Sequence, residues 1–307
     1  MGHPIGLRVS KKSNPNIITR FGKMRLTLAY SPCPNDTYAF HAMVHNLVDC
    51  EGLSFEVSLA DVEQLNKDAA KQKYDICKLS YHAFFLLSNR YSMLRVGSAL
   101  GYGNGPLLVA KKGSRAFLSS AKPNFKLLQT QTIAIPGEHT TAYLLLKIAF
   151  PSLLNVESII FSDIQNELIK EKYIAGVLIH EGRFTYGQKG LQLIADLGLE
   201  WQKRTKLPIP LGGIAVSKSL DNKIAQKIER VLKRSIEFAN HNPNISNNYV
   251  SNNAQEMDKV VLDKHIEMFV NNYTLGIGKE GEEAIYKLYK ETLRIYPKLV
   301  PTETLFI

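Results

Sequence analysis

Apolar and polar positions divide the chain into short strands and helices that follow one another in turn. Residues 25–30 (RLTLAY) and 53–59 (LSFEVSL) alternate with period two, as half-buried strands do. Between them Phe40, Met43, Val44 and Leu47 recur at helical spacing, which predicts a helix running to about Leu47. It follows a rigid turn with two prolines, where Asn35, Asp36 or Thr37 is placed to cap it. A helix over 61–73 opened by Asp61, a strand over 74–77 and an apolar helix over 82–89 come next. Strands are expected over 94–100 and 107–110, separated by the Gly-rich loop 101–106. Strand and helix alternating in this way indicate an α/β fold with a largely parallel sheet.

Residues 111–131 read as loop, and a second alternating series begins after them. Strands are predicted over 132–135, 158–161, 176–179 and 191–196, with helices over 142–150, 163–172 and 199–205. Residues 208–216 then repeat the character of 105–112, a Pro/Gly entry into an apolar strand with lysine at or soon after its end. Two such segments flanking the middle of the chain are expected to be crossovers between lobes, the plain alternative being two unrelated strands. On that reading residues 24–110 and 216–307 form a discontinuous first lobe, and 111–215 an inserted second lobe. The rest is helical, over 220–240, 258–270 and 279–293.

With 307 residues and 45% hydrophobic content the chain can bury a real core. No apolar run is long enough to span a bilayer. Residues 1–23 hold Arg8, Lys11, Lys12, Arg20 and Lys23 and no acid, half of the net charge of +10. They read as a disordered extension, with an organelle transit peptide as the second reading. The remaining positive charge is modest and shows no basic stripe with interleaved aromatics, so neither nucleic acid nor membrane is an expected partner. Three cysteines without metal-ligand spacing suit a reducing compartment, and the expected location is cytoplasmic. A small anionic substrate is the expected partner, and a homodimer is compatible with the sequence.

Candidate chemistry gathers at strand ends. Three strand-to-helix junctions, at residues 31–37, 78–80 and 137–141, place small hydroxyl residues where backbone N–H groups are unpaired and anions are favoured. The run Gly176-Val-Leu-Ile-His180-Glu181-Gly-Arg183-Phe-Thr185-Tyr186 ends a buried strand in an imidazole with acid, guanidinium and phenol beside it. His180 is either a satisfied core histidine or a general base, and its polar neighbours favour the base. His139, at a helix start, is either a donor to substrate or a surface residue. The dinucleotide fingerprint, the P-loop, HExxH, CxxC and GxSxG are all absent, so no metal or redox cofactor is implied, and proton transfer fits better than acyl transfer.

Six runs in one order carry a family resemblance: Ser31-Pro-Cys-Pro-Asn-Asp-Thr, Asp61-Val-Glu-Gln-Leu-Asn66, Lys78-Leu-Ser80-Tyr, Gly101-Tyr-Gly-Asn-Gly-Pro106, Pro136-Gly-Glu-His-Thr-Thr-Ala-Tyr143 and Ile179-His-Glu-Gly-Arg-Phe-Thr-Tyr186. From about residue 24 to the C-terminus the chain resembles the 1,4-dihydroxy-6-naphthoate synthases of the futalosine route to menaquinone. The resemblance implies a two-lobed, type II periplasmic-binding-protein-like α/β fold, with two crossover strands as a hinge and a ligand cleft between the lobes. It also implies a lyase that converts cyclic de-hypoxanthine futalosine to 1,4-dihydroxy-6-naphthoate and dihydroxyacetone without a cofactor. His180 would be the base, and Lys78, Leu79, Ser80, Thr141 and Ala142 would bind substrate. Gly182 departs from the serine common in the family, which puts in question how rigidly His180 is held. A non-catalytic solute-binding or sensor protein of the same fold is the alternative. The effector domain of a transcription regulator is less well supported, because the N-terminal extension is too short for a helix-turn-helix domain.

Overall fold

The computed structural model describes residues 23–118, 122–254 and 258–307. The expected N-terminal extension therefore lies, apart from Lys23, outside the described residues. Two sheets organise the rest. The first holds β1 (Met24–Tyr30), β2 (Leu53–Leu59), β3 (Ile76–Ser80), β4 (Tyr91–Met93), β5 (Ala99–Gly101) and, from far along the chain, β11 (Ile209–Ser217). Its order is β2-β1-β3-β11-β4, with β5 also paired to β11. The second sheet holds β6 (Leu107–Lys111), β7 (Ile133–Ile135), β8 (Val156–Ser158), β9 (Ala175–Leu178) and β10 (Leu191–Asp196), in the order β10-β6-β9-β7-β8. β1 runs parallel to both β2 and β3, and β7 parallel to both β8 and β9. The returning strands β11 and β6 are antiparallel to their neighbours.

β3 and β9 are buried along their whole length. The continuous apolar run of β9 suits such a central strand, since helices cover both faces, whereas β3 also buries the polar Lys78 and Ser80. Gly176 is needed in β9 because a Cβ there would stand 2.7 Å from Ile164 Cγ2 of the covering helix Ile164–Ile169. One apolar cluster extends through both lobes, from Phe84 and Tyr289 to Ile133, Leu145 and Val177.

The passages between sheets differ from the expected ones. Among the described residues β6 pairs with β10 and β9 alone, so the chain changes sheet within residues 102–106, before that strand and not after residue 110. It returns between Asp196 and Ile209, through the helix Leu197–Thr205, and β11 already belongs to the first sheet. The apolar strands at 107–110 and 208–216 are thus core strands of opposite lobes, and the crossovers are the polar and glycine-containing segments that precede them. These two connections lie against each other. The Leu197 amide donates to the Pro106 carbonyl at 3.0 Å, and a Cβ on Gly105 would stand 2.4 Å from the Gly198 Cα. Because the obstruction is backbone, Gly105→Ala must push the connections apart. A loss of about 1–3 kcal/mol is expected, read by thermal denaturation, with no loss for Gly187→Ala, where a Cβ meets nothing within 4 Å.

Several boundaries also move. The first helix is Pro34–Val44, with Pro34 at the favoured first position and Cys33 as N-cap without a side-chain bond. Asn35, Asp36 and Thr37 therefore sit in its first turn instead of capping it. The segment read as one strand over 94–100 is mostly a turn between two short strands, β4 ending before it at Met93 and β5 beginning only at Ala99. Lys78 to Ser80 belong to β3, not to the turn after it.

Candidate active site

The ends of β1, β3, β7 and β9 converge on a cleft between the lobes, the place where open α/β sheets bind ligands. Residues of both lobes line it. His180, Lys78, Leu79, Ser80, Thr141 and Ala142, which the sequence singles out, all line it.

The first lobe supplies a buried polar floor. Lys78 Nζ lies 2.8 Å from Asp36 Oδ1, with both side chains nearly inaccessible. Asp36 also accepts from Ser31 Oγ at 2.7 Å and from Asn35 Nδ2 at 2.9 Å. Ser80 stands at the N-cap of the six-residue helix Tyr81–Leu86 without a side-chain cap bond. Asn66 fixes it from two sides: Asn66 Nδ2 donates to Ser80 Oγ, and the Ser80 amide donates to Asn66 Oδ1, each at 3.1 Å. Among the described residues the Ser80 hydroxyl donates to no acceptor.

The second lobe supplies a helix end. Thr140 caps the helix Thr141–Ala149 by accepting from the Tyr143 amide. The Thr141 hydroxyl is already engaged, donating to the Leu211 carbonyl across the cleft at 2.7 Å and accepting from the His82 amide at 3.3 Å. What Thr141 and Ala142 offer a ligand is therefore their backbone N–H groups, which the first turn of a helix leaves without an internal acceptor. His139 is drawn away from the site. Its Nδ1 pairs with Glu63 Oε1 at 2.7 Å, a link between lobes that raises its pKa chiefly through that hydrogen bond.

β9 stops at Leu178, and His180 follows with φ of +52°. This left-handed conformation costs a non-glycine residue roughly 1–2 kcal/mol, and such strain collects at functional sites. Cys33 Sγ lies 3.4 Å from His180 Nδ1 and 3.8 Å from Nε2. Phe161 flanks the ring at 4.9 Å, and His265 is stacked on it with centroids 6.0 Å apart. Desolvation lowers the His180 pKa, with Lys78 lowering it further against the opposing fields of Glu181 and Asp36. The ring is therefore neutral near pH 7 and able to accept a proton. Burial likewise holds the Cys33 thiol well above its usual pKa, so it is a thiol and not a thiolate.

Sequence reasoning singles out neither His265 nor Asn104 as a site residue, and Asn35 only as part of the junction at residues 31–37. His265, on the helix Lys259–Phe269, is fully buried, with Nε2 2.9 Å from Asn35 Oδ1 and Nδ1 3.7 Å from Glu181 Oε1. It lies more than two hundred positions from Asn35, and no local pattern marks it. Glu181 and Arg183 are both tied into the surrounding structure, and Arg183 also lines the cleft. Glu181 backs His265. Arg183 donates to the carbonyls of Gly105 and, at 2.8 Å, Gly103, and lies 3.6 Å from Asp196. The residues after His180 are thereby tied to the first interlobe connection. At Gly182 an added Cβ would meet the flexible end of Gln165 at 3.3 Å, so the glycine is not forced by backbone crowding.

Among the described residues no helix is long and apolar enough to cross a membrane. A Candida albicans protein described as having the generic periplasmic binding protein structural fold superposes with a TM-score of 0.65 at 15% identity, over 91% of this chain and 92% of its own. A 1,4-dihydroxy-6-naphtoate synthase of Thermus thermophilus is 38% identical over 266 residues, covering 87% of this chain and 93% of that protein. One from Streptomyces coelicolor is 36% identical over 265 residues, covering 85% and 90%. The family described as menaquinone biosynthesis matches residues 26–293. With its two-lobed periplasmic-binding-protein-like fold and its interlobe cleft, the chain belongs to the menaquinone biosynthesis family.

Proposed function

We propose that this chain is the lyase that cleaves cyclic de-hypoxanthine futalosine to 1,4-dihydroxy-6-naphthoate and dihydroxyacetone, with His180 as general base. The observation that carries this reading is a neutral imidazole in a strained turn, set in the same cleft as Ser80 and the free amides of Thr141 and Ala142. The aromatic body of the substrate fits against Val62, Leu79, Ile179 and Phe269, which line the cleft. Its carboxylate accepts from Ser80 and from the helix end at Thr141. His180 then removes a proton, the electron pair expels the three-carbon fragment, and the proton returns to that fragment. No oxidant or reductant is consumed, and aromatisation of the new ring drives the step. The contacts from Thr141 to Leu211 and from His139 to Glu63 hold the lobes together, which keeps water from the reacting atoms.

Incubation with cyclic de-hypoxanthine futalosine and detection of 1,4-dihydroxy-6-naphthoate by mass spectrometry tests the reading. Binding without conversion would make the chain a solute-binding protein instead. The pH profile is a second check. Only unprotonated His180 is a base, and its pKa lies below the ordinary 6.5. The acidic limb of kcat/KM, which reports the free enzyme, is expected below pH 6.5, with a plateau through neutrality. A limb above pH 7 would exclude His180 as the titrating base.

A further inference from the structure

Asn104 sits on the first interlobe connection, is 2% exposed and lines the cleft. Neither atom of its amide, Oδ1 nor Nδ2, has a hydrogen-bond partner among the described residues. A buried amide left unpaired forfeits the hydrogen bonds it makes in water, and native proteins seldom retain one without a reason.

The surroundings of Asn104 are built to hold it. Gly101 leaves room for the amide, because a Cβ there would stand 2.9 Å from Asn104 Nδ2. Gly103 takes φ of +69°, a turn that suits glycine. Arg183 donates to the carbonyls of Gly103 and Gly105, the residues on either side of Asn104. An arginine three positions after His180 thus clamps the backbone flanking a cleft-lining amide that has no partner among the described residues. Arg183 is itself largely buried and held by Asp196 at 3.6 Å.

We infer that Asn104 is a substrate-recognition residue, whose paired donor and acceptor take hydroxyl groups on the sugar-derived fragment that leaves. This rests on the function proposed above, in which the aromatic carboxylate lies by Ser80 and Thr141 and the departing fragment lies by His180. Asn104 is tied to the His180 turn through Arg183, which holds the carbonyls on either side of it. A primary amide offers an NH₂ donor group and a carbonyl acceptor side by side, which complements a pair of hydroxyls better than it does a carboxylate, an acceptor only. A site built to hydrogen-bond hydroxyls also rejects ligands that lack them.

The test compares native enzyme with Asn104→Ala and Asn104→Asp, by KM and kcat for the cyclic substrate and by the inhibition constant of 1,4-dihydroxy-6-naphthoate, which lacks the fragment. Losing two hydrogen bonds predicts a fall in kcat/KM of about 10- to 100-fold for Asn104→Ala. Naphthoate inhibition should stay within about twofold, and the melting temperature should not fall, since no internal bond is lost. Asn104→Asp, which replaces the donor with an acceptor, should lose at least as much. An unchanged kcat/KM, an equal weakening of both ligands, or a lowered melting temperature in Asn104→Ala would each overturn the assignment. If the native enzyme forms no naphthoate, the proposed function fails; if it does and Asn104→Ala matches it, the inference about Asn104 alone fails.

Discussion

Replacing His180 with alanine should lower the rate of naphthoate formation by about 10²–10⁴-fold, the usual contribution of a positioned general base. The loss should fall on kcat, because substrate is held by groups that the substitution leaves in place: Ser80, Lys78 and the amides of Thr141 and Ala142. Folding should change little. Among the described residues His180 makes no hydrogen bond shorter than its 3.4 Å contact with Cys33, and alanine at φ of +52° carries left-handed strain of about the same order, roughly 1–2 kcal/mol. A variant with normal melting temperature, near-normal KM and strongly reduced kcat is the expected result. Near-native turnover would remove His180 from the chemistry, and the neutral His265 stacked behind it would then be the next group to substitute.

The second large effect should come from Lys78→Met. Lys78 and Asp36 form a buried ion pair at 2.8 Å. Removing one partner of such a pair typically costs about 3–5 kcal/mol, since a charge is left in a poorly solvated place. Asp36 keeps its hydrogen bonds from Ser31 and Asn35, which sets the expectation at about 3 kcal/mol, or roughly 5–10 °C in melting temperature. The double substitution Lys78→Met with Asp36→Asn should recover much of this, because it leaves no unpaired charge. Substrate affinity should fall in both variants, since Lys78 is a cation lining the cleft. A Lys78→Met protein that melts within a degree of the native one would show that Asp36 is solvated in a way its burial does not suggest.

Several parts of the site are legible in the sequence alone. The His180 turn is visible because a buried strand must end where its apolar run ends, and the polar residues beyond it have to meet solvent or a cleft. Asp61 is recognisable as a cap because its helix follows at once, and its side chain does accept from the Gln64 amide. Thr140 and Thr141 are recognisable as a helix start for the same reason. Local pattern misleads where two causes produce it. The apolar strands at 107–110 and 208–216 look alike because each is buried, yet one pairs in each sheet. Pairing partners lie about a hundred residues away and leave no local mark.

What the sequence determines by itself is short in range: the strand and helix alternation, the order of six motifs that places the chain in its family, and the identity of His180 as the residue at a strand end. Each follows from side-chain period or from neighbouring backbone chemistry. Only the tertiary structure decides which distant groups share one space. It sets His265 behind His180, pairs Lys78 with Asp36, commits the Thr141 hydroxyl to Leu211 and leaves the Asn104 amide in the cleft without a partner among the described residues. Burial and hydrogen-bond satisfaction depend on everything that surrounds an atom, and for these residues the surroundings come from segments far apart along the chain.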